Sequence, residues 1–163
     1  MQTSYNIYQA ANKLGAIADS RYHDVVSRAA SGAIPIGRAV VKATGSDVAV
    51  RLPTAGDTKI HGVALITDSM VADRTTGVVA YADKDTVDVA RSSAVVVYTE
   101  QDVTSDDPVF VRIVAHGTGL DVGQFRKDAD TVSSADTAIA WTAARFVNSA
   151  SAGGLVVVEF NLP

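Results

Sequence analysis

The run Leu155-Val156-Val157-Val158-Glu159-Phe160-Asn161-Leu162 constrains the fold more than any other stretch of this chain. Val156, Val158, Phe160 and Leu162 share one face of an extended strand, opposite Val157, Glu159 and Asn161. A strand this apolar and this β-prone aggregates when its edges are open. It must therefore be enclosed in its own barrel or covered by another subunit. The same alternation recurs upstream, where Val109, Val111 and Ile113 oppose Phe110 and Arg112. Valine fills 25 of the 163 positions, and β-branched side chains pack well on a pleated surface.

From Ile34-Pro35-Ile36-Gly37 onward the pattern is β throughout. Predicted strands cover residues 38–43, 47–52, 60–66, 86–90, 94–99, 108–114 and 155–162, with weaker ones at 123–126 and 144–148. Gly, Asp and Pro clusters punctuate them, at Thr44-Gly45-Ser46-Asp47, Ala55-Gly56-Asp57, Asp106-Asp107-Pro108 and Gly117-Thr118-Gly119. No helical pattern is long enough for the crossovers of a parallel sheet. The fold class expected is mainly β: a small antiparallel β-barrel or jelly-roll-like domain over 35–163, preceded by a largely irregular N-terminal arm over 1–34. The arm has room for a short helix over 10–18 and a further turn over 24–30. Gly15, Asp19, Ser20 and Gly32 interrupt any longer element. The polar stretches 69–79 and 127–136 read as long loops, where contacts with partners are commonly built.

Charge and composition exclude several classes of function. The net charge is -4, and nowhere do three Lys or Arg residues adjoin, so no basic stripe for nucleic acid is present. There is no Cys, which removes disulfides, thiolate metal sites and cysteine nucleophiles. No apolar run reaches the length of a membrane-spanning helix. The first residues include Asn6, Gln9, Asn12 and Lys13 where a secretory signal would carry an apolar core. Folding in a cytoplasm without export is the expectation.

Residues that could carry chemistry are scattered. His23, His61 and His116 are far apart and lack ligands at metal-binding spacing. A small hydrolase using His23 or His116 would need a Ser/His/Asp cluster. Asp19, Ser20, His23 and Asp24 read better as a solvated loop, and His61 as a half-exposed strand histidine. Asp83, Asp85 and Asp88, like Asp128 and Asp130, depart from an EF-hand loop and read as acidic turns, with a weak Ca²⁺ site between subunits as the alternative. Gly117-Thr118-Gly119 lacks the third glycine of a dinucleotide loop. Trp141, the single tryptophan, is expected in a core or an interface. Arg38, Arg91, Arg112, Arg126 and Arg145 lie in or beside predicted strands. An outward-facing strand arginine either solubilises an edge or makes bidentate pairs in an interface.

Several segments, taken in order, resemble a known family. They are Ile34-Pro35-Ile36-Gly37-Arg38-Ala39-Val40-Val41, Gly62-Val63-Ala64-Leu65, Asp107-Pro108-Val109-Phe110-Val111-Arg112, Gly123-Gln124-Phe125-Arg126 and the stretch from Ala144-Arg145-Phe146 to Pro163. Gly15-Ala16-Ile17-Ala18-Asp19-Ser20 and Asp24-Val25-Val26-Ser27-Arg28 precede them. Together these look like the structural cement (head decoration) proteins of tailed bacteriophages. The resemblance implies a non-enzymatic protein without cofactor or metal, with the major capsid protein and further copies of itself as partners. It implies a homo-oligomer, a trimer before a dimer, on the outer capsid surface of the virion, made in the bacterial host cytoplasm. The candidate interface residues are Tyr5, Tyr8, Tyr22, Arg38, Arg126 and Arg145. A phage tail or baseplate adhesin is the alternative, weakened by the scarcity of aromatic residues in the loops.

Overall fold

The computed structural model describes residues 13–20, 22–67, 79–117, 119–130 and 137–161. Eleven strands are found among them: β1 (Asp24–Ala30), β2 (Ile34–Pro35), β3 (Ala39–Lys42), β4 (Ala49–Arg51), β5 (Gly62–Ala64), β6 (Ala80–Tyr81), β7 (Thr86–Tyr98), β8 (Pro108–Arg112), β9 (Phe125–Arg126), β10 (Ala138–Phe146) and β11 (Leu155–Phe160). No helix occurs among the described residues.

The strands build two halves joined by β7. In the first half the order is β1-β4-β3-β5-β7, and β1 also pairs with β7, which closes a five-stranded barrel. Its pairings are antiparallel except β1 with β4, where Ala29 lies beside Ala49. Closure leaves this half without an open edge. Val40, Val50, Ala64, Val87 and Val89 fill the barrel, with Ile34 and Tyr81 of the β2–β6 ribbon, and Ile36 just after β2, packed into the same core. Gly62 sits where β5 crosses β7. A Cβ there would lie 2.1 Å from the Ala90 carbonyl oxygen, so no larger residue fits that crossing.

In the second half, β7 continues beside β11, followed by β10, β8 and β9. The sheet curls until Thr99 meets Phe125 in a parallel bridge, and the Glu100 amide donates to the Phe125 carbonyl at 2.9 Å. Val95, Val97, Val109, Val111, Phe146, Val156, Val158 and Phe160 fill it. Trp141 lies in this core, 4.7 Å from the Phe160 ring centroid and 6.4 Å from that of Phe125. The two faces expected for the last strand are found from Leu155 to Phe160: Val156, Val158 and Phe160 join the main core, while Val157 faces a smaller cluster with Ala94 and Val96; Leu162 lies outside the described residues.

Three local expectations are corrected. The segment 24–30 is a strand, not a turn, and six of its residues pair with β7. Its apolar pattern is weak because only Val26 and Ala30 reach the core, and hydrogen bonding to two neighbours holds it instead. The strands expected over 86–90 and 94–99 are one strand of 13 residues that ends at Tyr98, with Ser92 and Ser93 buried within it. The weaker strand expected over 144–148 starts earlier, at Ala138, and ends at Phe146. Part of the arm is also tied down. Gly15 and Ala18 donate to the carbonyls of Val96 and Ala94, both at 2.8 Å, and Ile17 bridges to Val95.

Candidate interaction surface

The strands divide the six candidate interface residues among different environments. Tyr5 and Tyr8 lie outside the described residues. Tyr22, just before β1, is 70% exposed. Arg145 projects from β10 with its side chain 69% exposed and donates to Glu159 Oε1 at 2.7 Å. Arg38 stands before β3 with little exposure and donates to Asp121 Oδ2 at 3.0 Å. Burial lowers its basicity, while Asp121 acts in the opposite sense. Arg126 is corrected: it is not a surface residue but a buried one, engaged entirely within the chain. Tyr22 and Arg145 are thus the exposed members, and Arg38 and Arg126 face inward.

Arg126 belongs to an ion-pair cluster that the sequence did not reveal. Arg112, on the face of β8 opposite Val111, is completely buried. Its Nε and Nη2 donate to the two carboxylate oxygens of Glu100 at 2.6 and 2.8 Å, and Nη2 also donates to Asp130 Oδ2 at 2.7 Å. Arg126 Nη1 donates to the same Asp130 oxygen at 2.7 Å and to Glu100 Oε2 at 3.2 Å. Asp128 closes the outer side, accepting from Arg126 and from Gln101 Nε2. Hydrogen bonding from Arg112 holds the Asp130 carboxyl at about 2, against the opposing pull of burial. Burial acts to lower the pKa of Arg112, but Glu100 and Asp130 outweigh it and raise it. Asp128 is likewise held low, because bonds from Gln101 and Arg126 overcome burial. Two guanidinium groups and three carboxylates thus pin the loops carrying residues 100–102 and 127–130 onto β8 and β9.

The groups considered for chemistry are dispersed. His116 lies in an exposed loop after β8, and His23 precedes β1. The Asp24 carboxylate receives Arg91 at 2.5 Å. Asp83 accepts the Gly32 amide, Asp85 the Ala82 amide and Asp88 the Ser27 hydroxyl. Among the described residues no three His, Asp or Glu side chains gather as a metal site, and no helix is long and apolar enough to cross a membrane.

The profile of the family described as "Structural cement protein (E217 gp24/Pam3 gp6)" matches residues 1–161. The chain belongs to the phage structural cement protein family. Membership implies a structural role and a place in the virion. Among solved structures, a chain from the capsid of the myovirus XM1 is similar over 99% of this chain and 97% of its own length, with TM-score 0.70 and 18% identity, and so shows the same fold. The N base of the head fiber gp8.5 of bacteriophage phi29 aligns over 86% of this chain and 95% of its own, at TM-score 0.49 and 16% identity, too slight a likeness to support an argument. No curated protein matches the sequence.

Proposed function

We propose that this protein is a non-enzymatic cement that clamps neighbouring major capsid subunits on the outside of a phage head. The observation that carries this reading is the family match along 1–161. It is synthesised in the bacterial host cytoplasm and acts as a homo-oligomer, a trimer in preference to a dimer. DNA packed into a head pushes capsomers apart, and a clamp resists by burying surface across their joints. A stable contact of this kind buries on the order of 1,200–2,000 Å². Repetition by symmetry turns modest affinity per contact into firm retention.

Two features of the fold suit that role. Barrel closure and the curled second sheet leave little open edge to recruit wrong partners. Tyr22 and Arg145 are exposed and are the residues assigned to the contact, together with Tyr5 and Tyr8, which lie outside the described residues. The test is light scattering of the purified protein, then sedimentation with capsid shells that lack it. An oligomer that pellets with the shells is expected. A monomer that stays in the supernatant overturns the reading.

A further inference from the structure

Among the described residues, three buried side-chain nitrogens find no hydrogen-bond partner: Arg28 Nε, Arg91 Nε and His61 Nε2. All three converge on one end of the five-stranded barrel. Val26 and Ala30 point into the barrel core, so Arg28 between them leaves β1 on the inner face. Arg91 follows Val87 and Val89 on the inner face of β7, and Lys42 follows Val40 on that of β3. His61, immediately before β5, completes the group. Arg28, Lys42 and Arg91 stand close enough to its ring to lower its basicity, adding to the larger effect of burial.

The charges there are poorly compensated. Arg28 donates only to the neighbouring Ser27 carbonyl, at 3.3 Å, and no carboxylate pairs with it among the described residues. Lys42 meets only Asp47, at 3.6 Å, and that aspartate is almost fully exposed. Arg91 has Asp24. An open cleft of about 500 Å³ adjoins this end, lined by Lys42, Lys59, Ile60 and His61 among others. The acid that lines it, Asp57, is already held by Arg51 through two bonds of 2.8 and 2.9 Å. On a chain of net charge -4, this is a local excess of positive charge and unanswered donors.

We propose that this barrel end is a receptor for a carboxylate-bearing segment of the capsid partner. Buried donors without acceptors cost folding free energy, and cations of one sign crowded together repel. An entering carboxylate relieves both, and charge-assisted bonds to guanidinium are strong and directional. The rim suits a peptide, since Val48, immediately before β4 and next to the Ala49 that pairs with Ala29, is 68% exposed. The occupant is thus an acidic side chain flanked by an apolar one. The partner's identity rests on the cement reading above, but the carboxylate chemistry does not.

The test has two arms. In the first, the full-length protein is titrated with a capped tetraglutamate peptide while the ring resonances of His61 are followed. A saturable shift is expected, with at least tenfold weaker binding in the Lys42→Glu/Lys59→Glu variant. Both lysines are exposed, so the variant should fold, as circular dichroism would verify. No saturable shift, an equal response in the variant, or tighter binding of a single-stranded oligonucleotide overturns the site. In the second arm, retention on capsid shells is expected to fall at least tenfold in the variant and to be unchanged in Lys84→Glu, at the opposite end of the barrel. Equal retention of the variant and the wild type overturns the capsid partner as occupant. If peptide binds but the wild-type protein ignores shells, the receptor stands and the cement reading fails.

Discussion

Arg112 is the largest fully buried side chain among the described residues, and it is charged. A guanidinium removed from water is tolerated only when acids and acceptors meet it, and here Glu100, Asp130 and the Val114 carbonyl do so. Removing one partner of such a set leaves charge stranded in the interior. Arg112→Met is expected to lower stability by about 3–5 kcal/mol in urea unfolding, and adding Glu100→Gln should restore part of the loss. A loss under about 1 kcal/mol would mean that Arg126 alone satisfies both acids. The cluster also sets an acid response. Asp130 titrates near 2 in the fold, below its ordinary 3.8, so its contribution is present above about pH 4 and disappears as pH falls toward 2. Asp57, held low chiefly by Arg51, acts in the same direction. Melting temperatures between pH 5 and 2 should therefore fall less steeply for Asp130→Asn than for the wild type, with a residual slope left. Identical slopes would remove Asp130 from the account. None of this cluster was legible in the sequence. The strand arginines were expected to face outward, and the only signal against that was an arginine at the end of an apolar run. Its acids lie 12 and 18 residues away, in loops whose return to β8 no periodicity encodes.

At the level of elements, legibility followed how apolar each strand is. β8 and β11 declared their faces because valine alternates along them over several residues. β7 looked like two strands because Arg91-Ser92-Ser93 breaks its valine pattern. The structure explains the break: there the strand leaves the barrel and enters the second sheet, and Ser92 Oγ donates to the Asn161 carbonyl at 2.8 Å. β1 was hidden because a strand held on both sides by backbone hydrogen bonds requires few large apolar residues. The same holds for the segment around Ile17, which read as arm yet pairs with β7. Its contacts allow the arm to be dissected. Deleting residues 1–12 removes none of the bonds that Gly15, Ala16 and Ala18 make, so it should lower the melting temperature less than a deletion that also takes those residues. Deleting residues 1–18 also removes those bonds and the packing of Leu14 and Ile17 against the two cores. That larger deletion should lower the melting temperature by roughly 10 °C or more, since each kcal/mol corresponds to about 2–4 °C in a domain of this size. Equal effects of the two deletions would show that the segment adds nothing to the fold.

A cement of the kind proposed above is useful only if it does not itself come apart, and the described residues are arranged so that the two halves cannot separate easily. β7 runs unbroken through both. Ala39, Val63, Leu65 and Ala90 belong to the barrel half, yet they pack into the core of the second sheet rather than into the barrel. Pulling the halves apart would expose that shared surface and break the middle of a 13-residue strand. The molecule should therefore unfold as one unit, which calorimetry can decide. A single transition is expected, with calorimetric and van't Hoff enthalpies in agreement. Ile34→Ala, in the barrel core, and Phe146→Ala, in the second core, should each cost about 2–5 kcal/mol and move that same transition. Because the two residues lie in separate clusters, the double variant should lose nearly the sum. Two transitions, with Ile34→Ala moving only one, would mean that the barrel and the curled sheet are independent modules. In the clamp proposed above, the weaker of them would then limit the force the protein can carry.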